Sequence, residues 1–236
     1  MAPGRYRSPE AFRTALEQRI RATVKGGAIN RFRQLLIYDR FLARVFHRFG
    51  DRVVVKGGLV LELRLARARA TKDVDLRLVG APGDALDALA LAGALDLGDW
   101  LSFRIRPDPD MPHIGGPGVV YDGLRFRAES RLARKLYGDP FGVDIGFADV
   151  LTVKPDVIEG SSFFGFAGIP PAAFRIYPRE THIAEKLHAY SLPGTISISE
   201  GARDPSSLVL GDVNRVELLA LAADHREVDR GASSPP

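Results

Sequence analysis

Two aspartates one residue apart form the most informative chemical pattern in this sequence. Asp73 and Asp75 open the apolar run DVDLRLV. Successive side chains of a strand point to opposite faces, so both carboxylates project from one face while Val74 and Leu76 point toward a core. Two carboxylates on one face repel each other unless a positive charge lies between them. Mg²⁺ is the expected occupant because it binds a few carboxylates together with nucleotide phosphates, and the pattern therefore indicates a phosphoryl-transfer site. The alternative is an ordinary polar turn at the start of a strand.

A pair of glycines, Gly57–Gly58, separates an apolar strand from a predicted helix upstream of the two aspartates. Glycine lets the backbone approach a phosphate closely, and the start of a helix directs N–H groups and a partial positive charge at an anion. A tight turn that needs a positive φ would explain the same residues. Lys56 precedes the pair and either faces the phosphates or lies on the surface. The segment is a candidate nucleotide-binding turn.

A third carboxylate is predicted from the strand FGVDIGF, residues 141–147. Val143 and Ile145 point to one face of this strand and Asp144 to the other, which must be solvent or a site. Phosphoryl transfer with two metal ions can use a further carboxylate from a neighbouring strand, and Asp144 is the preferred candidate. Asp149 is the alternative, although its position at the end of the strand favours a cap or a turn.

Two blocks of the sequence resemble a known family. A glycine pair followed after a helix by Asp-x-Asp is similar to the signature of polymerase-β-type nucleotidyltransferases. Within that superfamily, KGG followed by LRLARARATKDVDL, together with the later block YPRETHIAEKLHAY (Tyr177–Tyr190), resembles the AbiEii/AbiGii toxin family, which includes the MenT-type toxins. The resemblance extends over residues 8–224. It implies an α/β (mixed α+β) fold: a polymerase-β-type nucleotidyltransferase core with a mixed sheet, N-terminal helices and a helical C-terminal part.

The resemblance also implies further site residues. Lys186 in the AEK triplet matches a lysine that contacts the nucleotide phosphates, whereas its position beside an apolar helical stripe would also suit a lysine that extends to solvent. Asp212 matches the first aspartate of a Lys-Asp-Leu-x-Asp-Leu run, but Gly211 replaces the lysine and Arg215 the second acid. This departure leaves the catalytic role of Asp212 and the choice of nucleotide open, with Asp204 as a weaker alternative.

The activity that this resemblance implies is transfer of nucleotides from an NTP to an RNA 3′ end, dependent on Mg²⁺ (or Mn²⁺), with tRNA as the acceptor. Asp73, Asp75 and Asp144 would bind the metal ions, and Lys56, the two glycines and Lys186 would bind the triphosphate. The resemblance further implies a cognate antitoxin and a role as the toxin of a toxin–antitoxin system. Two alternatives stay open: transfer to a protein or small-molecule hydroxyl, and a noncatalytic nucleotide- or RNA-binding module.

Composition sets limits on the remaining classes. The 236 residues are 45% hydrophobic and 26% charged, as in soluble globular chains. The absence of cysteine excludes disulfides, zinc–thiolate sites and thiol catalysis. The sequence shows neither an apolar run long enough to cross a membrane nor an apolar signal core, so a cytoplasmic protein with no membrane partner is expected. The net charge of +4 suits either a solvated arginine-rich surface or a nucleic-acid-binding face.

Periodicity and composition, together with what the family resemblance implies, divide the chain into four parts. These are an N-terminal helical segment (1–50), the nucleotidyltransferase core (51–150), a loop-rich and helical C-terminal part (151–228) and a disordered tail (229–236). The segment 150–176 contains several prolines and is predicted to be mostly loop. Thr181 is predicted to cap a helix over residues 183–190, with His182 and His188 on the helix surface. A last helix is predicted over residues 212–223.

The two predicted N-terminal helices carry an excess of positive charge. Arg40 and Arg44 lie one turn apart on the second helix and are expected to share a face. Such a face would contact RNA phosphates. The full set of candidate RNA-contacting arginines is Arg13, Arg19, Arg21, Arg33, Arg40 and Arg44.

Overall fold

The computed structural model describes residues 6–64, 70–80, 83, 85–114, 123–147 and 153–183. Two helices come first, as the sequence predicts: α1 (Pro9–Thr23) and α2 (Ala28–Phe49). At the start of α1 the Ser8 side chain accepts a hydrogen bond from the Ala11 N–H, and Pro9 supplies the fixed φ of the first turn. No helix among the described residues is long and apolar enough to span a membrane.

Nine strands of the described residues form one mixed sheet. Their bounds are β1 (Val53–Lys56), β2 (Asp73–Leu78), β3 (Leu101–Pro107), β4 (His113–Ile114), β5 (Gly123–Leu132), β6 (Lys135–Leu136), β7 (Phe141–Gly146), β8 (Asp156–Glu159) and β9 (Ala173–Ile176). The strand order is β3-β5-β7-β2-β1-β9-β8, with β4 and β6 paired to β5. The pairs β2–β7 and β1–β9 are parallel and the others antiparallel. The predicted mixed α/β fold is confirmed.

One face of the sheet forms the main core. Val74 and Leu76 of β2 are buried beside Val143 and Ile145 of β7, their register partners. Helix α4 (Ala85–Gly93) packs on β3, and α2 contacts α4, β1 and β9. A short helix, α3 (Gly57–Arg64), follows β1 directly and packs against β1 and β2. Because strand side chains alternate, the polar residues of the central strands are left on the opposite face.

The segment predicted to be mostly loop is structured in its described part. β8 and β9 form an antiparallel pair, and β9 lies parallel to β1 with Ile176 opposite Val55. A 3₁₀ helix (Ser162–Ala167) lies between β8 and β9 and contributes the buried Phe164. The prediction was wrong because each strand has only four residues and gains its hydrogen bonds from distant partners, which local patterns do not reveal.

A buried ionic cluster joins α2 to the turn before β3. Arg44 donates two hydrogen bonds to the Asp99 carboxylate at 2.8 and 2.6 Å, and Arg40 donates a third at 2.7 Å. Arg44 also donates to the carbonyls of Leu95 and Leu101. Burial by itself would raise the pKa of Asp99, but the hydrogen bonds and charges of Arg44 and Arg40 hold that pKa below its usual value. Arg40 and Arg44 are 3% and 0% exposed, so the prediction that they share an RNA-facing surface is wrong.

Asp39 is a second buried carboxylate beside this cluster, and it is less well compensated. One carboxylate oxygen accepts a hydrogen bond from the Ser161 N–H at 2.7 Å. The other lies 3.7 Å from the nearest Arg40 nitrogen, beyond hydrogen-bond distance. Burial raises the pKa of Asp39 to about 6, against the lowering effects of the Ser161 amide and the Arg40 charge. The folded protein therefore binds this proton more tightly than the unfolded chain does.

This carboxylate should make the protein less stable as pH rises from about 4 to about 6, because the folded state loses a proton there that the unfolded state has already lost. Asp39→Asn, which mimics the neutral acid, should raise the free energy of unfolding by about 1–3 kcal/mol at pH 7 and have little effect below pH 4. Urea unfolding at a series of pH values measures the difference. Asp87→Asn, on the exposed side of α4, is the matched control and should leave the wild-type pH dependence in place. An Asp39→Asn variant with the wild-type pH profile would contradict the assignment.

Candidate active site

A row of four charged residues crosses the centre of the sheet on the face opposite the core. Asp75 of β2 pairs with Asp144 of the parallel strand β7 and with Lys56 of the antiparallel strand β1. Asp144 in turn pairs with Arg125 of β5. Register partners point to the same face. The row therefore reads cation, carboxylate, carboxylate, cation from β5 to β1, with both carboxylates in the middle.

Asp73 lies on the same face, two residues before Asp75 in β2. Its register partner on β7 is Gly142, where a side chain would overlap the Asp73 carboxylate. The glycine therefore provides the space that this carboxylate occupies, and Asp73 is itself exposed to solvent. The two strands bring Asp73, Asp75 and Asp144 to one side of the sheet, which is where the sequence pattern predicts them.

The glycine pair fits closely against β2. Gly57 has a positive φ of 69°, and a Cβ at this position would overlap the Asp75 carboxylate. A Cβ on Gly58 would lie 3.2 Å from the Thr71 hydroxyl oxygen. Helix α3 starts at Gly57, so its first N–H groups lie close to the carboxylates. The positive φ agrees with the tight turn, and the close backbone approach that the structure shows is to the Asp75 carboxylate. Phosphate binding by this glycine pair stays a prediction.

Arg125 is the site residue that the sequence reasoning missed. Its Nε and Nη2 atoms donate to the two oxygens of Asp144 at 2.8 and 2.6 Å, a bidentate ion pair that raises the pKa of Arg125. The available signal was strand alternation, because Arg125 and Arg127 alternate with apolar residues in the stretch LRFRA, residues 124–128. With Asp144 engaged in this way, the described residues hold no ready-made cluster of three metal-binding side chains.

The backbone that leads into β2 is held by polar side chains from α2 and α3. Arg31 and Tyr38 of α2 donate to the Thr71 carbonyl at 3.2 and 3.3 Å, and the Thr71 N–H donates to Glu62 of α3, which also forms an ion pair with Arg31. A cavity of about 400 Å³ lies beside this segment. Its wall includes residues of α2, among them Arg31 and Tyr38, together with Thr71 and Lys72, which directly precede Asp73 in the chain.

Several predicted site residues lie outside the described part of the chain. They are Lys186 and Asp212, the alternatives Asp149 and Asp204, and His188. His182 is described and corrects a prediction, because it is 2% exposed and therefore buried. Helical residues begin at position 179, so Thr181 lies within the helix and does not cap it.

Comparison with known proteins identifies the family. The profile described as "Nucleotidyl transferase AbiEii toxin, Type IV TA system" matches residues 40–204, well over half of the chain. No curated protein matches the sequence significantly. Among solved structures, MenT4, the nucleotidyltransferase toxin Rv2826c from Mycobacterium tuberculosis H37Rv, has a similar fold with a TM-score of 0.52 at 16% identity. The similarity covers 75% of this chain and 58% of that one.

A second similar structure is JHP933 from Helicobacter pylori, with a TM-score of 0.44 at 19% identity. The similarity covers 66% of this chain and 57% of the Helicobacter pylori chain. This chain therefore spans less than two thirds of either structure that it resembles.

The fit between Gly57 and Asp75 predicts a large effect for a small substitution. Gly57→Ala should lower the free energy of unfolding by about 2 kcal/mol or more, because alanine disfavours the positive φ and its Cβ overlaps the carboxylate. Gly165→Ala is the matched control: this glycine lies in the 3₁₀ helix, and its Cβ would meet no atom within 4 Å. We expect the control to change stability by less than about 1 kcal/mol. Urea unfolding compares the two, and equal effects would show that the contact with Asp75 is unimportant.

Proposed function

This chain belongs to the AbiEii family of nucleotidyltransferase toxins from type IV toxin–antitoxin systems, and we propose that it transfers nucleotides from an NTP to the 3′ end of an RNA, with tRNA as the acceptor. The observation that carries the proposal is the alignment of Asp73, Asp75 and Asp144 on one face of two adjacent strands. The start of α3 at Gly57 lies directly against the Asp75 carboxylate.

The carboxylate face suits a divalent cation. Carboxylate oxygens are the ligands that Mg²⁺ and Mn²⁺ prefer, and Gly57 and Gly142 leave room for the Asp75 and Asp73 side chains. We propose that Asp73 and Asp75 hold the metal and that Asp144 joins them when Arg125 releases it. When bound, such ions activate the attacking hydroxyl and neutralise the charge on the leaving pyrophosphate.

Positive groups next to the carboxylates would bind the triphosphate. The N–H groups at the start of α3 supply a site for a phosphate oxygen, and Lys56 lies in the charged row at the same end of β1. The family resemblance adds Lys186 as a phosphate-binding residue and Asp212 as a catalytic residue. These groups orient the nucleotide and stabilise the charge that develops during transfer.

The acceptor distinguishes the proposal from its alternatives. Transfer to a protein or small-molecule hydroxyl would use the same carboxylates, and a noncatalytic module would bind nucleotide without transferring it. Two mutually repelling acids have no use in a noncatalytic module, which favours an enzyme. Incubation of the protein with each labelled NTP, Mg²⁺ and total tRNA separates these outcomes, since the label enters RNA, enters protein or a small molecule, or is not transferred. A cognate antitoxin is the partner that family membership implies.

Asp75→Asn should abolish transfer while leaving the fold intact. The amide keeps the shape of the side chain but removes the charge, and loss of a metal-binding carboxylate should reduce the rate about a thousandfold, or roughly 4 kcal/mol in the transition state. Label incorporation at saturating NTP measures the rate, and circular dichroism checks the fold. Asp87→Asn, an exposed carboxylate of α4, should retain wild-type activity. Near-normal transfer by Asp75→Asn would show that Asp75 does not bind the metal.

Arg125→Met tests the competition between Arg125 and the metal for Asp144. Without the guanidinium, the carboxylates lose a compensating charge, so the variant should melt at a lower temperature in the absence of metal and gain more stability from Mg²⁺ than the wild type. The extra gain should reach about 1–3 kcal/mol at saturating Mg²⁺. Arg106→Met, which removes an arginine from the same face of the sheet, should show the wild-type response. An equal response to Mg²⁺ in all three proteins would show that Arg125 does not compete with the metal.

A further inference from the structure

The polar face of β3 and β5 carries a concentration of arginines. Each strand alternates between core and polar positions, so the buried Leu101, Phe103 and Ile105 of β3 leave its arginines on the opposite face. The register places Arg106 opposite Arg127 and Ser102 opposite Arg131, which joins the polar positions of both strands into one surface. We call the following residues the arginine strip: Arg104, Arg106, Arg127, Arg131 and Arg134, the last in the turn after β5.

Acidic residues balance only part of this charge. Glu129 lies on the same face of β5 and forms ion pairs with Arg106 at 3.0 Å and Arg131 at 3.7 Å. Asp108 follows β3, and one of its carboxylate oxygens accepts hydrogen bonds from the backbone N–H groups of Asp110 and Met111. Arg106 and Arg131 remain 54% and 42% exposed despite their ion pairs with Glu129. The strip is therefore a positively charged and accessible surface.

The strip leads to the candidate active site. Arg127 is the register partner of Gly142, and Gly142 is the partner of Asp73, so the three residues form one row across the sheet. Neighbouring strands lie about 4.8 Å apart, so the backbone at Arg127 lies two strands, or about 10 Å, from the backbone at Asp73. In the adjacent row Arg125 contacts Asp144 directly. A polyanion bound along the strip would thus reach the carboxylates at one end.

Trp100 lies at the other end of the strip. It is the only tryptophan of the chain, it is 42% exposed, and its φ of 58° is unfavourable for a bulky residue. Trp100 directly follows Asp99, which Arg40 and Arg44 hold in the core. This anchor fixes the backbone at Trp100, whose own side chain points outward. An open cavity of about 550 Å³ beside Trp100 is lined by residues that include Ser102, Arg131 and Arg134.

An exposed tryptophan kept in a strained conformation among arginines matches the chemistry of single-stranded nucleic acid binding. Unpaired bases stack on aromatic rings, and arginines contact the phosphates between them. The N-terminal helices are less suitable, because most of their candidate arginines are engaged within the protein. Arg33 forms an ion pair with Glu17, and Arg19 lies over the ring of Phe166.

We propose that the arginine strip and Trp100 bind the single-stranded 3′ end of the acceptor RNA and direct its terminal hydroxyl toward Asp73 and Asp75. The inference rests on the proposed function and adds to it the surface that the acceptor uses. From Arg131, the register partner of Ser102, to Arg125 the path follows β5 for about 20 Å, at about 3.4 Å per residue. Trp100 stacks on an unpaired base, and the strip contacts successive phosphates.

The single tryptophan makes the proposal directly measurable. Titration of the wild-type protein with a short single-stranded RNA should quench the fluorescence of Trp100 and reach saturation. With four phosphates contacted, log affinity should fall with log salt at a slope of about −3. Inorganic polyphosphate of equal charge should bind without the quenching that base stacking produces. Equal quenching and affinity with polyphosphate would overturn the stacking role of Trp100.

Charge reversal on the strip provides the matched comparison. Arg104→Glu with Arg106→Glu, both on β3, should weaken RNA binding and RNA labelling by about tenfold or more. Lys25→Glu with Arg48→Glu makes the same charge change at exposed positions outside the strip and should alter both by less than about twofold. Trp100→Ala should weaken RNA binding by about tenfold through lost stacking. Circular dichroism and melting temperature check that each variant is folded.

The outcomes separate this inference from the proposed function. If the wild type labels RNA and the strip variant binds and labels RNA as the wild type does, the acceptor surface lies elsewhere while the proposed function stands. If the label enters protein or a small molecule and RNA neither binds nor quenches Trp100, the proposed function fails and this inference with it. A third outcome is that RNA has no effect, while a partner protein alters Trp100 fluorescence in the wild type but not in the strip variant. The strip would then bind that protein, which overturns the RNA assignment.

Discussion

The arrangement of the candidate site depends on the register of β2 with its two neighbours. A strand has two faces, and β2 places Val74 and Leu76 in the core while Asp73 and Asp75 point to the other side. A slip of one residue would exchange the two sets, exposing apolar side chains worth about 1.5–3 kcal/mol each and burying two carboxylates at a larger cost. The core therefore sets the register, and the register sets which charged residues meet.

Once the register is fixed, the charges on the polar face are not independent. Asp75 and Asp144 lie next to each other on parallel strands, a repulsive arrangement, and the row ends in a cation on each side. The bidentate pair between Arg125 and Asp144 offsets part of the repulsion. A divalent cation would compete with Arg125 for the same oxygens. Under the proposed function, the ion pair would stabilise the fold without metal and would yield to a bound metal and nucleotide.

The parts of this molecule that the sequence predicts are those with short-range patterns. The buried apolar face of α1, formed by Phe12, Leu16 and Ile20, follows from spacing alone. The same is true of the alternation in β2 and β7 and of the shared face of Asp73 and Asp75. The pairing of Arg125 with Asp144 depends on which strands become neighbours, which spacing does not contain. The four-residue strands β8 and β9 are too short to show alternation, and their stability comes from pairing with each other and with β1. Lys186 and Asp212 stay predictions, since they lie outside the described residues.

Arg40 and Arg44 show a different limit of sequence reasoning. Arginines one turn apart on a helix are typical of an exposed face, yet these two are buried because Asp99 from a distant turn compensates them. Removal of one partner from such a cluster would leave a buried charge, so the cluster ties α2 firmly to the start of β3. That connection fixes Asp99, and with it the backbone at Trp100. A buried ionic cluster thus determines the position of an exposed aromatic side chain, and the core and the surface proposed to bind RNA are linked through a single turn.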